Sequence, residues 1–273
     1  MPAALKRRTL VSPTASRTLR PLLPSAFGPI APDAAGMPMY RAVKRALLRA
    51  IEAGTVAPGA ALPSESQLGA SLGVSVGTVR RAVDDLVAEH IVVRRQGRGT
   101  FVATHTSDRF LFQFFHVERH DGVLEAPAVA LLSFERGRLD DEAAAALSLK
   151  PGEPALWIEN RLSLQGQPVV HDRLVVPAAL FRGLTEKRLR ERPSTLYHLY
   201  QSEFGITVVR AHERLRAVGA DRGSARVLGV AVGQPVLQVR RVAIALDGKP
   251  VEWRVSTVLT GQHEYVNLLS RLG

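Results

Sequence analysis

Residues 62–102 read LPSESQLGASLGVSVGTVRRAVDDLVAEHIVVRRQGRGTFV, and their pattern decides the fold of the N-terminal part of the chain. Ser64 and Gln67 have the spacing of a capping box, and Gly73 suits the left-handed residue that ends a helix. Ser75 is the next candidate N-cap. It precedes apolar residues at helical spacing, which are Val79, Val83, Leu86 and Val87. The stretch therefore predicts two short helices joined by a tight turn.

The second half of this stretch predicts a basic β-hairpin. Residues 91–95 alternate and are rich in β-branched side chains, residues 96–99 (QGRG) form a turn, and residues 100–102 return as a second strand. Upstream, residues 40–53 carry apolar side chains at helical spacing and predict a supporting helix. This is the layout of a winged helix-turn-helix, mainly α with a β-wing, whose recognition helix enters the major groove of DNA. An ordinary helical hairpin with a solvated charged face is the alternative, and the basic hairpin disfavours it.

The residue types on the exposed faces suit contacts with DNA. Arg80 and Arg81 lie near the start of the second helix, where guanidinium groups reach phosphates and guanine edges. Arg98 lies between two glycines at the hairpin tip, where the backbone can approach a groove and one arginine can enter the minor groove. Arg45, on the supporting helix, can face the phosphates. We predict that these arginines contact DNA.

Residues 39–102 resemble the DNA-binding domain of the GntR family of bacterial transcription regulators. The matching motifs are G-x-x-x-P-G-x-x-L-P-S-E (54–65), T-V-R-x-A (78–82) and R-R-Q-G-R-G-T-F-V (94–102). The resemblance implies DNA contacts from Ser75, Thr78, Arg80, Gly97, Arg98 and Gly99. Many members carry Arg at the position of Val76 and Gly at the position of His90. The first departure indicates a missing contact, and the second a turn that accommodates a side chain.

Composition agrees with a DNA-binding protein. The chain of 273 residues has a net charge of +11. Residues 1–38 hold five basic and one acidic residue, and residues 39–104 hold nine basic and five acidic, so positive charge is densest near the N-terminus, as a DNA footprint requires. The lack of cysteine excludes disulfides and agrees with a cytoplasmic protein. No apolar run predicts a membrane span or a signal peptide.

The C-terminal part contains an internal repeat. Residues 147–158 (LSLKPGEPALWI) match residues 228–239 (LGVAVGQPVLQV), and G-x-P-V recurs after each copy. Each copy predicts a helix, a strand, a short turn and a second strand, with hairpins at 155–176 and 236–259. Residues 127–135 and 206–218 predict further strands, and residues 194–204 a further helix. Two related hairpins imply one antiparallel sheet with helices on a face, an α+β domain, and argue against a Rossmann or P-loop module.

This second part resembles the UTRA domain, an effector-binding domain related to chorismate lyase. The matching features are L-x-L-x-x-G-x-P (147–154), Arg161, G-x-P-V-V-x-D-x-x-x-x-P (166–177) and P-V-E (250–252). A UTRA domain behind a GntR-type domain identifies the HutC-like subfamily. The resemblance implies a transcription regulator, a repressor, whose operator binding is modulated by a small metabolite bound in the second domain.

Three segments are therefore predicted. Residues 1–38 contain seven of the seventeen prolines and little apolar periodicity, which predicts a disordered basic arm, unless the segment reflects a misplaced start of translation. Residues 39–104 form the winged helix-turn-helix domain. Residues 105–273 form the UTRA-like domain, which binds the effector and mediates dimerisation.

Six residues are predicted to bind the effector, namely Arg161, Ser163, Asp172, Glu213, Glu252 and Arg254. Arg161 is a candidate anion clamp, because a guanidinium pairs bidentately with carboxylate or phosphate. Family members that bind sugar phosphates tend to carry Arg-x-Arg where this chain has residues 161–163 (RLS), which disfavours a phosphorylated effector and leaves a carboxylate open. Asp172 and Glu252 lie where the resemblance places acidic ligands for hydroxyl or amino groups. A surface or interface salt bridge is the alternative for Arg161, Asp172, Glu213 and Glu252.

Two motifs resemble a catalytic site and a metal site, but their context argues against both functions. G-x-S-x-G at residues 69–73 lies inside a predicted helix instead of a strand-to-helix turn, so it is not a nucleophile elbow. His116 and His120 share a strand face, but no further ligands follow at metal-binding spacing. The sequence predicts no catalytic residue, no metal and no cofactor.

Two functions remain open at this point. The favoured one is a ligand-responsive regulator. Its expected partners are double-stranded DNA with a pseudo-palindromic operator, a small anionic or polar metabolite and a second copy of the chain. No association with a membrane is expected. The alternative is an enzyme that retains lyase or other chemistry in the second domain. It is disfavoured, because the sequence shows no acid–base pair or activated nucleophile and kinship of fold alone is only an analogy.

Overall fold

A computed structural model describes residues 27–30, 38–104, 114–122 and 125–267. The N-terminal domain contains helices α1 (Met39–Glu52), α2 (Glu65–Leu72) and α3 (Val76–Ala88), followed by strands β1 (Val92–Arg95) and β2 (Gly99–Val102). The two strands pair antiparallel, with Arg95 opposite Gly99 next to the turn. This is the winged helix-turn-helix that the sequence predicts.

The predicted caps form the turn between α2 and α3. Ser64 Oγ accepts the N–H of Gln67 at 3.2 Å, and Gln67 Oε1 accepts the N–H of Ser64 at 2.9 Å, so the capping box is complete. Gly73 ends α2 with a φ of 68°. Ser75 Oγ accepts the N–H of Thr78 at 3.2 Å and begins α3. Local side-chain chemistry therefore fixes where both helices begin.

Residues 27–30 correct the prediction of a disordered arm for that part of the chain. Phe27 is buried in the core of the N-terminal domain, and the N–H of Ile30 donates to the carbonyl of Leu72 at 3.0 Å. Burial of an aromatic side chain stabilises such an ordered contact. Residues 1–26 and 31–37 of the predicted arm lie outside the described residues.

The C-terminal domain is built on a six-stranded antiparallel sheet in the order β4-β5-β6-β9-β8-β7. Its strands are β4 (Ala128–Arg138), β5 (Pro154–Leu164), β6 (Gln167–Pro177), β7 (Val208–Gly219), β8 (Pro235–Ala245) and β9 (Pro250–Val258). Its helices are α4 (Asp141–Leu147), α5 (Glu186–Glu191), α6 (Leu196–Phe204) and α7 (Arg222–Leu228). A separate pair joins β3 (Val117–Arg119) to β10 (His263–Tyr265). The sequence did not predict α5 or β10.

The internal repeat is visible as two copies of a strand-helix-strand-strand unit. The copies meet in the middle of the sheet, where β6 pairs with β9. Asp140 and Asp221 cap the equivalent helices by accepting the N–H groups of Ala143 and Ser224. Helix α4 packs on β9 and α7 packs on β6, so the helix of each copy covers the central strand of the other. The predicted α+β antiparallel-sheet domain is confirmed.

The sheet has two different faces, because successive strand residues point to opposite sides. The α4/α7 face is covered by those two helices and buries Leu147, Val175 and Trp253. The α5/α6 face is covered by the other two helices and holds the main core, with Leu174 and Tyr197 among its buried members. Which face a strand residue occupies therefore decides which site it can serve.

The two domains are in contact. Val209 and Leu246 of the second domain pack against the core of the first, and Gln201 Nε2 donates to the carbonyl of Ala103 at 3.3 Å. A cleft of about 660 Å³ lies between the domains. His90 borders it with a φ of 56°, so the predicted turn does accommodate a side chain in the left-handed region. Within the described ranges, no helix is long and apolar enough to cross a membrane.

Candidate nucleic-acid interface and ligand cavity

The first candidate site consists of the start of α3 and the tip of the wing. Ser75 Oγ and Thr78 Oγ1 are 2.9 Å apart in the first turn of α3. At the wing tip, Gly97 and Gly99 have φ angles of 67° and 105°, and Arg98 is exposed between them. Only glycine adopts such angles without steric cost, so the tight turn presents Arg98 at the end of the hairpin.

Glu65 connects the recognition helix to the wing. Arg80 Nε donates to Glu65 Oε2 at 2.9 Å, and Arg94 Nη2 donates to Glu65 Oε1 at 3.1 Å. The Arg80 side chain is still 62% exposed, so most of its guanidinium can reach a ligand. Exposed ion pairs contribute at most about 1 kcal/mol each. This pair therefore orients Arg80 without preventing it from exchanging Glu65 for a phosphate or base.

The other two predicted DNA contacts involve α1. Arg81 belongs to α3, but its guanidinium lies 4.2 Å from the ring centre of Tyr40 on α1, which is a cation–π contact. Arg45 is exposed on α1 itself. The structure thus divides the candidate arginines into two groups, with Arg80 and Arg98 at the start of α3 and the wing, and Arg45 and Arg81 on or against α1.

The second candidate site is a cavity of about 310 Å³ on the α5/α6 face of the sheet. Strands β5, β6 and β9 contribute Asn160, Leu162, Asp172 and Arg254 to its lining. The walls come from the segments that flank the sheet, with Ala126, Pro127, Val129, Arg190, Arg192, Ser194, Thr195 and Leu196. A cavity of this size, with apolar walls and a few polar groups, is typical of a site for a small molecule.

A buried cluster of charges lies directly beneath the cavity. Arg254 Nη1 donates to Asp172 Oδ2 at 2.9 Å, while its Nε and Nη2 donate to Glu252 Oε1 and Oε2 at 3.0 and 3.1 Å. Ser256 Oγ donates to the second oxygen of Asp172. Glu252 is 0% exposed, so all of its polar contacts come from protein groups. Burial opposes the charge on Arg254, but Glu252 and Asp172 outweigh it and hold its pKa well above the usual range.

Two tyrosines of α6 complete this cluster. Tyr197 and Tyr200 donate their hydroxyl groups to the two oxygens of Glu252, at 3.1 and 2.8 Å. Burial, and next the charge of Glu252, raises the pKa of both phenols, so they remain neutral donors. Helix α6 is therefore tied to the centre of the sheet by hydrogen bonds to a buried carboxylate.

A second buried pair lies nearer to the N-terminal domain. Arg241 on β8 binds Glu213 on β7 and donates to the carbonyl of Phe114. Tyr265 of β10 donates to the other oxygen of Glu213. This cluster holds together β7, β8, β10 and the segment that enters the second domain.

The structure brings together only some of the predicted effector-binding residues. Asp172 and Arg254 line the cavity, and Glu252 lies below it, fully buried. Arg161 and Ser163 are odd-numbered residues of β5, whereas the cavity is lined by the even-numbered Asn160 and Leu162, so both predicted residues point to the α4/α7 face.

The structure also places Glu213 apart from the 310 Å³ cavity. It borders the interdomain cleft and binds Arg241. A salt bridge at an interface is the alternative that the sequence left open for this residue.

Sequence reasoning missed Asn160, Arg190, Arg192 and the start of α6. One signal was available, because Asn160 is the polar member of an otherwise apolar inward row on β5 that contains Leu156, Ile158, Leu162 and Leu164. Arg190 and Arg192 had no such signal. They come from the connection between β6 and β7, and only the packing of that connection over the sheet brings them to the cavity.

A serine, a histidine and a carboxylate meet on the α4/α7 face. His171 lies 3.1 Å from Ser224 Oγ through Nδ1 and 2.6 Å from Glu159 Oε1 through Nε2. These are the residue types of a nucleophile, a base and an orienting acid. Ser224 is 0% exposed, however, so its hydroxyl is not reachable, and the contacts attach α7 to β5 and β6. Within the described ranges, no three potential metal ligands of the His, Cys, Asp and Glu types lie together.

Comparisons with known proteins agree with this architecture. Residues 39–102 match the family model described as bacterial regulatory proteins, gntR family, and residues 125–263 match the UTRA domain. The chain is 26% identical to the mannosyl-D-glycerate transport/metabolism system repressor MngR of Escherichia coli K12, over 86% of this chain and 97% of MngR. It is 27% identical to the transcriptional repressor NagR of Bacillus subtilis, over 86% of this chain and 96% of NagR.

A solved structure also matches the second domain. It is the ligand-binding domain of a regulator assigned to the GntR family from Bordetella bronchiseptica, with 37% sequence identity and a TM-score of 0.55. The match covers 58% of this chain and 99% of that domain. The similarity therefore extends over the sheet and helices that form the cavity.

The Glu213–Arg241 pair predicts a loss of stability in acid. Burial opposes the charge on Glu213, but Arg241 and hydrogen bonds from Tyr265 and Arg241 outweigh it, so the pKa of Glu213 lies below its ordinary value. Such a carboxyl contributes stability above its unfolded pKa of about 4.3, and this stability is lost as the pH falls through the folded value. We expect Glu213→Gln to be less stable than wild type at pH 7, by about 3 kcal/mol, because Arg241 keeps a buried charge without its partner.

Urea denaturation followed by circular dichroism at pH 7, 5, 4 and 3 measures both effects. Glu213→Gln should lose less of its remaining stability on acidification than wild type, while the exposed control Glu264→Gln should behave as wild type does. Parallel acid profiles for wild type and Glu213→Gln would contradict the assignment.

Proposed function

Because the chain belongs to the gntR family of bacterial regulatory proteins and carries a UTRA domain, we propose that it is a repressor whose two DNA-binding domains, in a homodimer, bind a pseudo-palindromic operator. A small anionic or polar metabolite in the 310 Å³ cavity then changes operator binding. The observation that carries the proposal is the joint presence of an arginine-rich recognition surface and a cavity with buried charged residues in one chain. The protein would act in the cytoplasm, where its DNA lies.

The DNA contacts are proposed to come from two groups of residues. Ser75, Thr78 and Arg80 would read or position bases from the start of α3, where exposed backbone N–H groups also attract phosphate. The wing residues Gly97, Arg98 and Gly99 would approach the minor groove. Arg45 on α1, and Arg81 with its guanidinium over Tyr40, would contact the phosphate backbone and add affinity without sequence preference.

The effector cavity offers groups for a small polar ion. Arg192 and the start of α6 supply positive potential on one side, and Asp172 and Asn160 supply acceptors on the floor. Arg161 and Ser163 lie on the other face, so they are not part of the proposed site. Glu252 supports Arg254 from below and contributes through that arginine.

A structural connection between the cavity and the domain junction supports ligand control. Arg254 lies 5.8 Å from the ring centre of Tyr197, and both Arg254 and Arg241 act electrostatically on the Tyr197 phenol. Arg241 in turn holds the carbonyl of Phe114, where the second domain begins in the described chain. A ligand that moves Arg254 therefore shifts the equilibrium between two positions of the domain junction. The free energy of this shift equals the difference in the ligand's binding free energy between the two positions.

The first prediction separates base contacts from phosphate contacts. Arg80→Ala should weaken operator binding and reduce discrimination against mismatched sites if Arg80 reads a base. If it contacts phosphate, affinity should fall uniformly and the salt slope should drop by about one unit. Fluorescence anisotropy with operator and mismatched duplexes at several salt concentrations measures both, with the exposed Arg226→Ala on α7 as the control. Unchanged binding would remove Arg80 from the interface.

The second prediction concerns assembly. A single winged domain covers a short site, and dimers achieve specificity by binding two half-sites about one helical turn apart. We expect the full chain and residues 105–273 alone to be dimeric by light scattering at micromolar concentration, and residues 39–104 alone to be monomeric. A full-length monomer both with and without operator DNA would contradict the proposal.

The third prediction tests the cavity as the effector site. Arg192→Ala should leave operator affinity unchanged and raise the concentration of effector needed for a response about tenfold to a hundredfold, because a charge-assisted hydrogen bond contributes about 1.5–3 kcal/mol. The control Arg188→Ala lies on α5 outside the cavity lining and pairs with Glu203. Metabolites of the pathways encoded beside the gene would be titrated against operator anisotropy. An equal response of both variants would place the effector elsewhere.

A further inference from the structure

Asn160 carries an unusual polar atom in the cavity floor. The side chain is 4% exposed, and its Oδ1 accepts no hydrogen bond from the described residues. Nearly all buried side-chain oxygens in folded proteins have a donor. Asn160 lines the 310 Å³ cavity, so a molecule bound there can supply the missing donor once the amide turns toward it.

A second acceptor lies beside Asn160. Asp172 pairs directly with Asn160 across β5 and β6, and it also lines the cavity. Cross-strand partners have their side chains about 5 Å apart, so one small group can contact both. Three charged groups lie in this part of the floor or directly below it, namely the carboxylates of Asp172 and Glu252 and the guanidinium of Arg254. Together these three groups carry a net charge of −1.

The opposite wall has the complementary character. Arg192 donates to the carbonyl of Leu189, and no carboxylate of the described ranges forms an ion pair with it. Arg190, in contrast, is already bound to Glu186. Burial is the main effect that lowers the pKa of Arg192, and the positive charge of Arg254 lowers it further. An anion near Arg192 would offset both effects. The N-terminus of α6 carries a partial positive charge, which also favours an anion at this wall.

We infer that the effector is a small zwitterion. Its ammonium group donates to Asn160 Oδ1 and the Asp172 carboxylate, and its anionic group binds Arg192 beside the start of α6. An ammonium has three donors and a positive charge, which suit two acceptors on a negative floor, whereas a hydroxyl has one donor and no charge. This inference rests on the proposed function, because it takes the cavity to be the effector site.

The first experiment uses full-length protein and matched compounds. Thermal shift and calorimetry would compare the standard amino acids, ω-amino acids of three to six carbons and glucosamine 6-phosphate with the N-acetyl and hydroxyl counterpart of each. We expect the compounds that raise Tm to carry a free amine, and their N-acetyl and hydroxyl counterparts to bind at least tenfold more weakly. A panel in which no zwitterion raises Tm, or in which the counterparts bind equally well, would overturn the inference.

Variants of Asn160 test the acceptor itself. Asn160→Leu should weaken binding of the zwitterions found by at least tenfold, whereas Asn160→Asp keeps an acceptor and should bind them at least as well as wild type. Ser163→Ala, on the same strand but the opposite face, is the control and should bind as wild type. Unchanged binding to Asn160→Leu would show that the oxygen does not contact the effector.

A third experiment separates this inference from the proposed function. A bacterial metabolite extract that changes operator anisotropy would be treated with N-hydroxysuccinimide acetate, which acylates amines. Loss of the effect supports a zwitterionic effector. An effect that survives acylation and still requires Arg192 would overturn the zwitterion but leave the effector cavity in place. An untreated extract without any effect on operator binding would count against ligand control itself.

Discussion

The buried ion pair between Arg254 and Asp172 is the interaction on which the C-terminal domain depends. It lies across the β6–β9 pair, where the two structural repeats meet, and Glu252 satisfies the rest of the guanidinium. Charges in such a place cost several kcal/mol each to desolvate and persist only when fully paired. The two tyrosines of α6 complete the pairing, so the same contacts that neutralise the buried charge also hold α6 over the sheet and thereby form one wall of the cavity.

Within the described ranges, the repeats explain why one cavity of this kind is present and not two. Asp172 and Arg254 occupy equivalent positions of the two copies, but they carry opposite charges and bind each other. Asn160 and Arg241 are also equivalent. Arg241 is surrounded by Phe114, Glu213 and Tyr265 from the chain itself, and only about 30 Å³ is left beside it. Asn160 instead faces 310 Å³ of open space. One half of the pseudosymmetric sheet is thus filled by the domain junction, and the other half is free for a ligand.

In the N-terminal domain, a single acidic residue likewise connects several elements. Glu65 begins α2, and it binds one arginine of the recognition helix and one of the wing. Its position follows from the capping box at Ser64, so a local helix-start motif also sets the relation of α3 to the wing. Because the pairs are exposed and weak, this relation can adjust.

The sequence by itself determined the winged helix, the repeat and the antiparallel sheet, whereas the clustering of Asp172, Glu252 and Arg254 is seen only in the structure. Caps, turn glycines and strand alternation are local, so they can be read from neighbouring residues. Only the tertiary structure decided that Asn160, and not Arg161, faces the cavity, that Glu213 belongs to the domain junction, and that Arg192 joins the site. The physical reason is that these placements depend on which face of the sheet the β6–β7 connection packs against. The connection packs on this face because Tyr197, Tyr200 and the surrounding core are buried there. The residues of this core are far apart in the sequence, so no local pattern predicts the contact.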